Sequence, residues 1–80
     1  MIVRVYVSLK PSVLDPQGKA VQRGLASMGY NEVSDVRIGK YIELTLEEGL
    51  SPEAAKERVD EMCKKLLANT IIENYRIELT

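Results

Sequence analysis

A two-layer α+β sandwich, with an antiparallel sheet and two helices on one of its faces, is the fold this sequence predicts. Three observations predict it. Runs of alternating apolar and polar residues stand at the start, the middle and the end of the 80 residues. Two stretches with apolar residues three or four apart separate those runs. Each helical stretch is opened by a small polar residue followed by proline, at Asp15-Pro16 and Ser51-Pro52. The order is strand, helix, long strand or hairpin, helix, strand. It fills residues 1–80 as one domain with no linker, repeat or low-complexity segment.

The first strand follows from Val3, Val5, Val7 and Leu9, which alternate with Arg4, Tyr6, Ser8 and Lys10 as one buried and one wet face would require. Pro11 removes a backbone donor and stops the ladder. Asp15 then reads as an N-cap and Pro16 as the first helical residue. Val21, Leu25 and Met28 form an apolar stripe opposite Lys19, Gln22, Arg23 and Ser27, and Gly29 closes the helix. Gly24, in the helix interior, predicts close packing of helix on sheet.

From Val33 to Glu47 the apolar residues Val36, Ile38, Ile42, Leu44 and Leu46 keep one even phase straight across Gly39-Lys40. A two-residue hairpin centred there would put Tyr41, Glu43 and Thr45 on the apolar face instead. The preserved phase leaves two readings: one long strand bent or bulged near Gly39, which is favoured, or a three-residue hairpin pairing position 38 with 42. A strand of some 14 residues would be about 45 Å long. That exceeds what so small a globule covers, so its far half requires another copy of the chain. An obligate homodimer or larger assembly is the expectation, with a tetramer left open.

The second helix is expected from Pro52 to Leu67, with Ala55, Val59, Met62, Cys63, Leu66 and Leu67 facing inward. On its outer side Asp60–Lys64 and Glu61–Lys65 are spaced as acid-first i,i+4 pairs. Asn69-Thr70 ends it, and Ile71, Ile72, Tyr75, Ile77 and Leu79 mark a last strand.

Composition excludes several functions. Histidine is absent and cysteine occurs once, so the usual acid-base group, an internal disulfide and a thiol zinc site are all missing. Eleven basic residues against twelve acidic ones give no polyanion-binding surface, which argues against nucleic acid. The glycines at 18, 24, 29, 39 and 49 match neither a dinucleotide fingerprint nor a phosphate loop. Glu53, Glu57, Asp60 and Glu61 alternate with Lys56, Arg58, Lys64 and Lys65 and read as a solvated face rather than metal ligands. Charge interrupts the first apolar run, leaving neither a signal peptide nor a membrane span. The expectation is a full-length, soluble, cytoplasmic protein whose single thiol is structural.

The one site-like segment is Arg37-Ile38-Gly39-Lys40-Tyr41, which brings two cations and an aromatic beside a flexible glycine. Three readings stay open for it: outward charges blunting a strand edge, anchors for a protein partner, or a small basic patch for an anion.

Residues 9–18 (LKPSVLDPQG), 36–44 (VRIGKYIEL) and 65–75 (KLLANTIIENY) resemble the PurS family, the small subunits of phosphoribosylformylglycinamidine (FGAM) synthase. The resemblance covers essentially the whole chain, with Thr70 standing where a proline is expected. It implies a noncatalytic subunit of an ATP-dependent ligase that converts formylglycinamide ribonucleotide, ATP, glutamine and water to FGAM, ADP, phosphate and glutamate in purine biosynthesis. In such complexes a large synthetase subunit, PurL, uses ATP and magnesium, and a glutaminase, PurQ, releases ammonia. The small subunit binds no cofactor itself, is a homodimer, bridges the other two and assists ammonia transfer. The implied contact residues are Lys10, Asp15, Gln17 and Gly18 at the first strand–helix junction, Arg37, Gly39, Lys40 and Tyr41 on the long strand, and Tyr75. The competing reading is a freestanding dimeric binding module for a small anion or a peptide. An autonomous enzyme is a distant third.

Overall fold

The strand expected first forms as β1, Ile2–Leu9, and it is the middle strand of three. The structure, a computed structural model, describes residues 1–80. β1 is followed by α1 (Pro16–Ser27), β2 (Gly39–Thr45), α2 (Pro52–Met62) and β3 (Glu73–Leu79). The sheet order is β2-β1-β3, and both pairings are antiparallel. The class, the element order and the antiparallel sheet are those the sequence predicts.

Register explains the two faces. Val3 lies between Leu44 and Leu79, Val5 between Ile42 and Ile77, and Val7 between Lys40 and Tyr75. These residues share one face because strand side chains alternate. α2 lies on that face, and Val3, Val5, Val59 and Cys63 are fully buried where the two meet. The opposite face carries Arg4, Tyr6, Glu43, Tyr41, Arg76 and Glu78.

Both helix starts match the sequence grammar. Asp15 accepts from the Gly18 amide at 2.9 Å, and Ser51 Oγ accepts from the Ala54 amide at 3.1 Å. At the other end of α1, Gly29 takes φ +97°, the Gly29 amide donates to Ala26 and the Tyr30 amide to Leu25. That doubled pattern is the Schellman closure, which favours glycine because it needs a left-handed residue.

Four expectations are corrected. First, the middle segment is neither a strand running from Val33 nor a hairpin: β2 begins at Gly39, and residues 33–38 have no strand partner. β1 ends at Leu9, whose neighbour Ser8 already pairs with Gly39, so the returning chain has no strand to pair with beyond that point. Second, only α2 covers the sheet. α1 continues outward past the end of β1, and of its residues only Gly18 is buried. Val21 is 43% exposed and Met28 71% exposed, and nothing lies within 4 Å of a β-carbon placed on Gly24. The chain is accordingly long, 51 × 24 × 14 Å, with a radius of gyration of 16.1 Å. About 12 Å is usual for a compact chain of this size.

Third, Leu66 is 83% exposed rather than inward. α2 ends in a wide π turn, Cys63–Leu67, in which the Ala68 amide reaches back to the Cys63 carbonyl at 2.9 Å. The extra residue per turn moves Leu66 off the inner face and brings Ala68 onto the core. Fourth, β3 starts at Glu73, because the amides of Ile72 and Glu73 both turn back to the Asn69 carbonyl. Ile71 is left 82% exposed. Of the two expected helix ion pairs, Asp60–Lys64 forms at 2.9 Å, and Glu61–Lys65 does not.

Cys63 points inward as expected, and burial together with nearby Asp60 pushes its thiol pKa up. The expected outcome is that a thiol reagent at pH 8 leaves the folded protein unlabelled and modifies one equivalent once urea is added; prompt labelling of the native protein would contradict this packing.

Candidate functional site

Most of the residues singled out from the sequence gather where β1 gives way to α1 and where the chain returns to begin β2. Leu9-Lys10-Pro11 ends the ladder, and residues 10–15 form a turn in which the Val13 amide donates to Lys10 at 2.9 Å. This turn is held against the returning segment by side chains from both. Asp15, only 4% exposed, accepts from Gly18 with one carboxylate oxygen and from the Ile38 amide with the other, at 2.7 Å. The Arg37 guanidinium donates to the carbonyls of Lys10 and Val13 at 3.0 and 2.8 Å. Gly18 sits so close to the Val36 carbonyl that a β-carbon there would be 2.0 Å from its oxygen.

These contacts form a clasp that crosses more than 20 residues of sequence. The two amide donors, from Ile38 first and Gly18 second, hold the Asp15 carboxyl below its ordinary pKa of 3.8, and Arg37 adds to this. Further out, the Gln22 side chain donates to the Ser34 carbonyl at 2.8 Å, so the outgoing helix and the returning segment lie side by side.

Beside the clasp, Lys40 lies opposite Val7 on the apolar face and reaches Glu73 at 3.7 Å. Gly39 passes close to β1, since a β-carbon there would be 2.5 Å from the Val7 carbonyl oxygen. A shallow cleft of about 200 Å³ opens between Val7, Leu9, Ile38 and the Lys40–Glu73 pair, with Gln17 at its rim.

The structure thus brings together Lys10, Asp15, Gln17, Gly18, Arg37, Gly39 and Lys40. Tyr41 and Tyr75 are placed elsewhere. The Tyr75 hydroxyl donates to Asp60, which also binds Lys64, and this pushes the Tyr75 pKa up to about 12. Tyr75 therefore ties β3 to α2. Tyr41, 52% exposed, projects from the opposite face.

That opposite face holds a network not singled out from the sequence. The Tyr41 hydroxyl donates to Glu43 at 2.7 Å and accepts from Arg4 at 3.0 Å. The Arg4 guanidinium also lies 3.8 Å from Glu78, and Glu78 is 3.4 Å from Arg76. Arg76 stacks 4.3 Å over the ring of Tyr6, whose centroid is 5.3 Å from that of Tyr41. The alternation of the three strands signals this face, but only register shows which of its residues meet.

Chemically the arrangement positions backbone segments against one another. Both cations of the site-like segment already have partners in the chain, Arg37 in two carbonyls and Lys40 in Glu73, which weakens the anion-patch reading. No side chain at this junction is placed as a nucleophile beside a base.

Comparison with known proteins agrees with this picture. Residues 2–80 match the family model described as PurS, phosphoribosylformylglycinamidine (FGAM) synthase. The chain is 66% identical over 77 residues to the FGAM synthase subunit PurS of Bacillus subtilis strain 168, covering 96% of this chain and 89% of that protein. A solved structure of B. subtilis PurS in a C2 crystal form superposes with a TM-score of 0.84 at 66% identity, over 96% of this chain and 94% of that one. A chain in the structure of PurLQS from Thermotoga maritima superposes with a TM-score of 0.83 at 30% identity, covering 98% of this chain and 96% of that one.

Two outcomes test the clasp. Because the folded pKa of Asp15 lies below the ordinary 3.8, its contribution to stability is present above that value and is lost as pH falls below it. Urea unfolding at pH 5.5 and pH 3 is expected to show a larger loss for the native chain than for Asp15→Asn. Gly18→Ala is expected to cost about 2 kcal/mol or more at neutral pH, because the clash is with backbone.

Proposed function

The chain belongs to the PurS family of FGAM synthase subunits, and we propose that it acts as a noncatalytic pair that bridges a synthetase and a glutaminase subunit in purine biosynthesis. The ATP, magnesium and glutamine of the reaction are handled by those larger partners, and the pair assists the passage of ammonia between them. No helix is long and apolar enough to cross a membrane, and the cytoplasm is the proposed location.

What carries this reading is the match over essentially the whole chain, in sequence and in fold, to PurS subunits. The likeness to a chain of the Thermotoga PurLQS structure supports assembly with larger subunits.

The proposed pairing is with a second copy through the projecting arm. Seven apolar residues are buried in this chain of 80, while the apolar stripe of α1 and the half-buried Ile42, Leu44 and Leu46 remain partly open. A core that small is marginal by itself. Exchange between two copies satisfies both faces at once: the stripe of one α1 covers the open sheet face of the other copy, and each unpaired segment 33–38 gains a neighbour. In this pair Lys10, Asp15, Gly18, Arg37 and Gly39 set the arm, and Gln17 and Lys40 flank the contact. The Tyr41 face, with Arg76 and Arg4 beside it, is proposed to meet a catalytic subunit, since tyrosine and arginine are common anchors of protein interfaces.

The purified chain alone is expected to consume neither ATP nor glutamine, and glutamine-dependent FGAM formation is expected to appear when the synthetase and glutaminase subunits are added. Activity of the larger pair that ignores this chain would reject the reading in favour of a freestanding binding module. Light scattering is expected to give a dimer mass at micromolar concentration, and Leu25→Glu is expected to give monomers. Tyr41→Ala combined with Arg76→Ala should weaken capture of the synthetase subunit at least tenfold, about 1.4 kcal/mol, without changing the dimer mass.

A further inference from the structure

An open arm and a closed sandwich are two ways of using the same residues. In the closed form α1 would turn back over its own sheet and lay Val21, Leu25 and Met28 on the face that α2 leaves partly open. Chain length permits this. Residues 28–38 reach about 36 Å when extended, whereas β1, with 8 residues, spans about 26 Å. The return from the far end of a folded-back helix to Gly39 could therefore be made. The closed form is also the two-layer arrangement that hydrophobic periodicity alone suggests.

What opposes closure lies in the hinge and not in the helix body. Asp15 bonds Ile38, Arg37 bonds Lys10 and Val13, and Gly18 touches Val36. Each of these ties the turn 10–18 to residues 36–38 and so fixes the direction in which α1 leaves the turn, and the Gly18–Val36 approach, inside the first turn of α1, is lost if α1 reverses while β2 keeps its register. We propose that the Asp15–Arg37 clasp is a conformational device that holds the arm open, so that the apolar stripe of α1 is offered to a second copy and withheld from the chain's own sheet.

This inference rests on the exchanged-pair reading above. Asp15 and Arg37 act as positioning residues: they set where α1 points. A merely stabilising cap would behave differently, and the molecule carries its own control. Ser51 caps α2 through a single hydrogen bond, away from the hinge.

The test compares the native chain with Arg37→Met, Asp15→Asn and Ser51→Ala. It uses light scattering across a dilution series, small-angle scattering and far-ultraviolet circular dichroism. The two clasp variants are expected to weaken dimerisation at least tenfold while keeping their helix signal. Their monomers should be compact, with a radius of gyration near 12 Å against 16.1 Å for the open chain. Ser51→Ala should leave the dimerisation constant within about twofold of native. The proposal is overturned if both clasp variants dimerise like the native chain, if Ser51→Ala weakens the dimer as much as they do, or if both clasp variants simply unfold when released. A native chain that stays monomeric at all concentrations rejects the exchanged pair itself; an extended native monomer with compact clasp variants would then leave the clasp standing without it.

Discussion

The length of the central strand sets everything else in this molecule. β1 is bonded on both sides, so each end of it ends the sheet. At Leu9 the ladder stops because Pro11 has no donor and the chain turns into the clasp. The chain that returns toward β2 approaches from beyond that point and cannot pair until it meets Ser8 opposite Gly39. An unpaired approach segment and an outward helix are therefore two consequences of one strand end. So is the elongated shape, and so is the small core that β1 and α2 form between them.

Much of this is legible in the sequence because local chemistry decides it. Asp15-Pro16 and Ser51-Pro52 locate two helix starts, since a capping oxygen and a residue without an amide hydrogen are required there whatever the rest of the fold does. Gly29 locates a helix end for a similarly local reason. The even phase of Ile42 and Leu44 correctly puts both on the face that α2 covers. Periodicity, however, records that a face is apolar and not whose surface covers it. Val21, Leu25 and Met28 announce a buried stripe equally well whether the covering sheet belongs to the same chain or to another. That ambiguity is why the sequence suggests both helices on one sheet while the chain itself holds only one there.

Other features are illegible because they depend on groups distant in sequence or on small changes of helical pitch. Asp15 reads as a cap, and its second oxygen gives no sign that it will receive Ile38, 23 residues on. Leu66 fits an α-helical stripe, and one π turn removes it. The Arg4, Tyr41, Glu43 and Glu78 network requires the register of three strands before its members become neighbours. Among the residues that the PurS resemblance brings forward, Tyr75 looks like any interface tyrosine until Asp60 is seen to hold its hydroxyl.

The distribution of charge fits a subunit of a larger complex. The side chains that could have been reactive are bonded within the chain: Asp15 to two amides, Arg37 to two carbonyls, Lys40 to Glu73, Tyr75 to Asp60. Satisfying them internally fixes backbone direction, because most of these bonds join segments far apart in sequence. On the far face of the sheet the charges are balanced against one another and lie open as a surface of rings and paired ions. In a small chain without a histidine the polar groups set geometry: each pair fixes where one segment leaves the sheet or a helix relative to another.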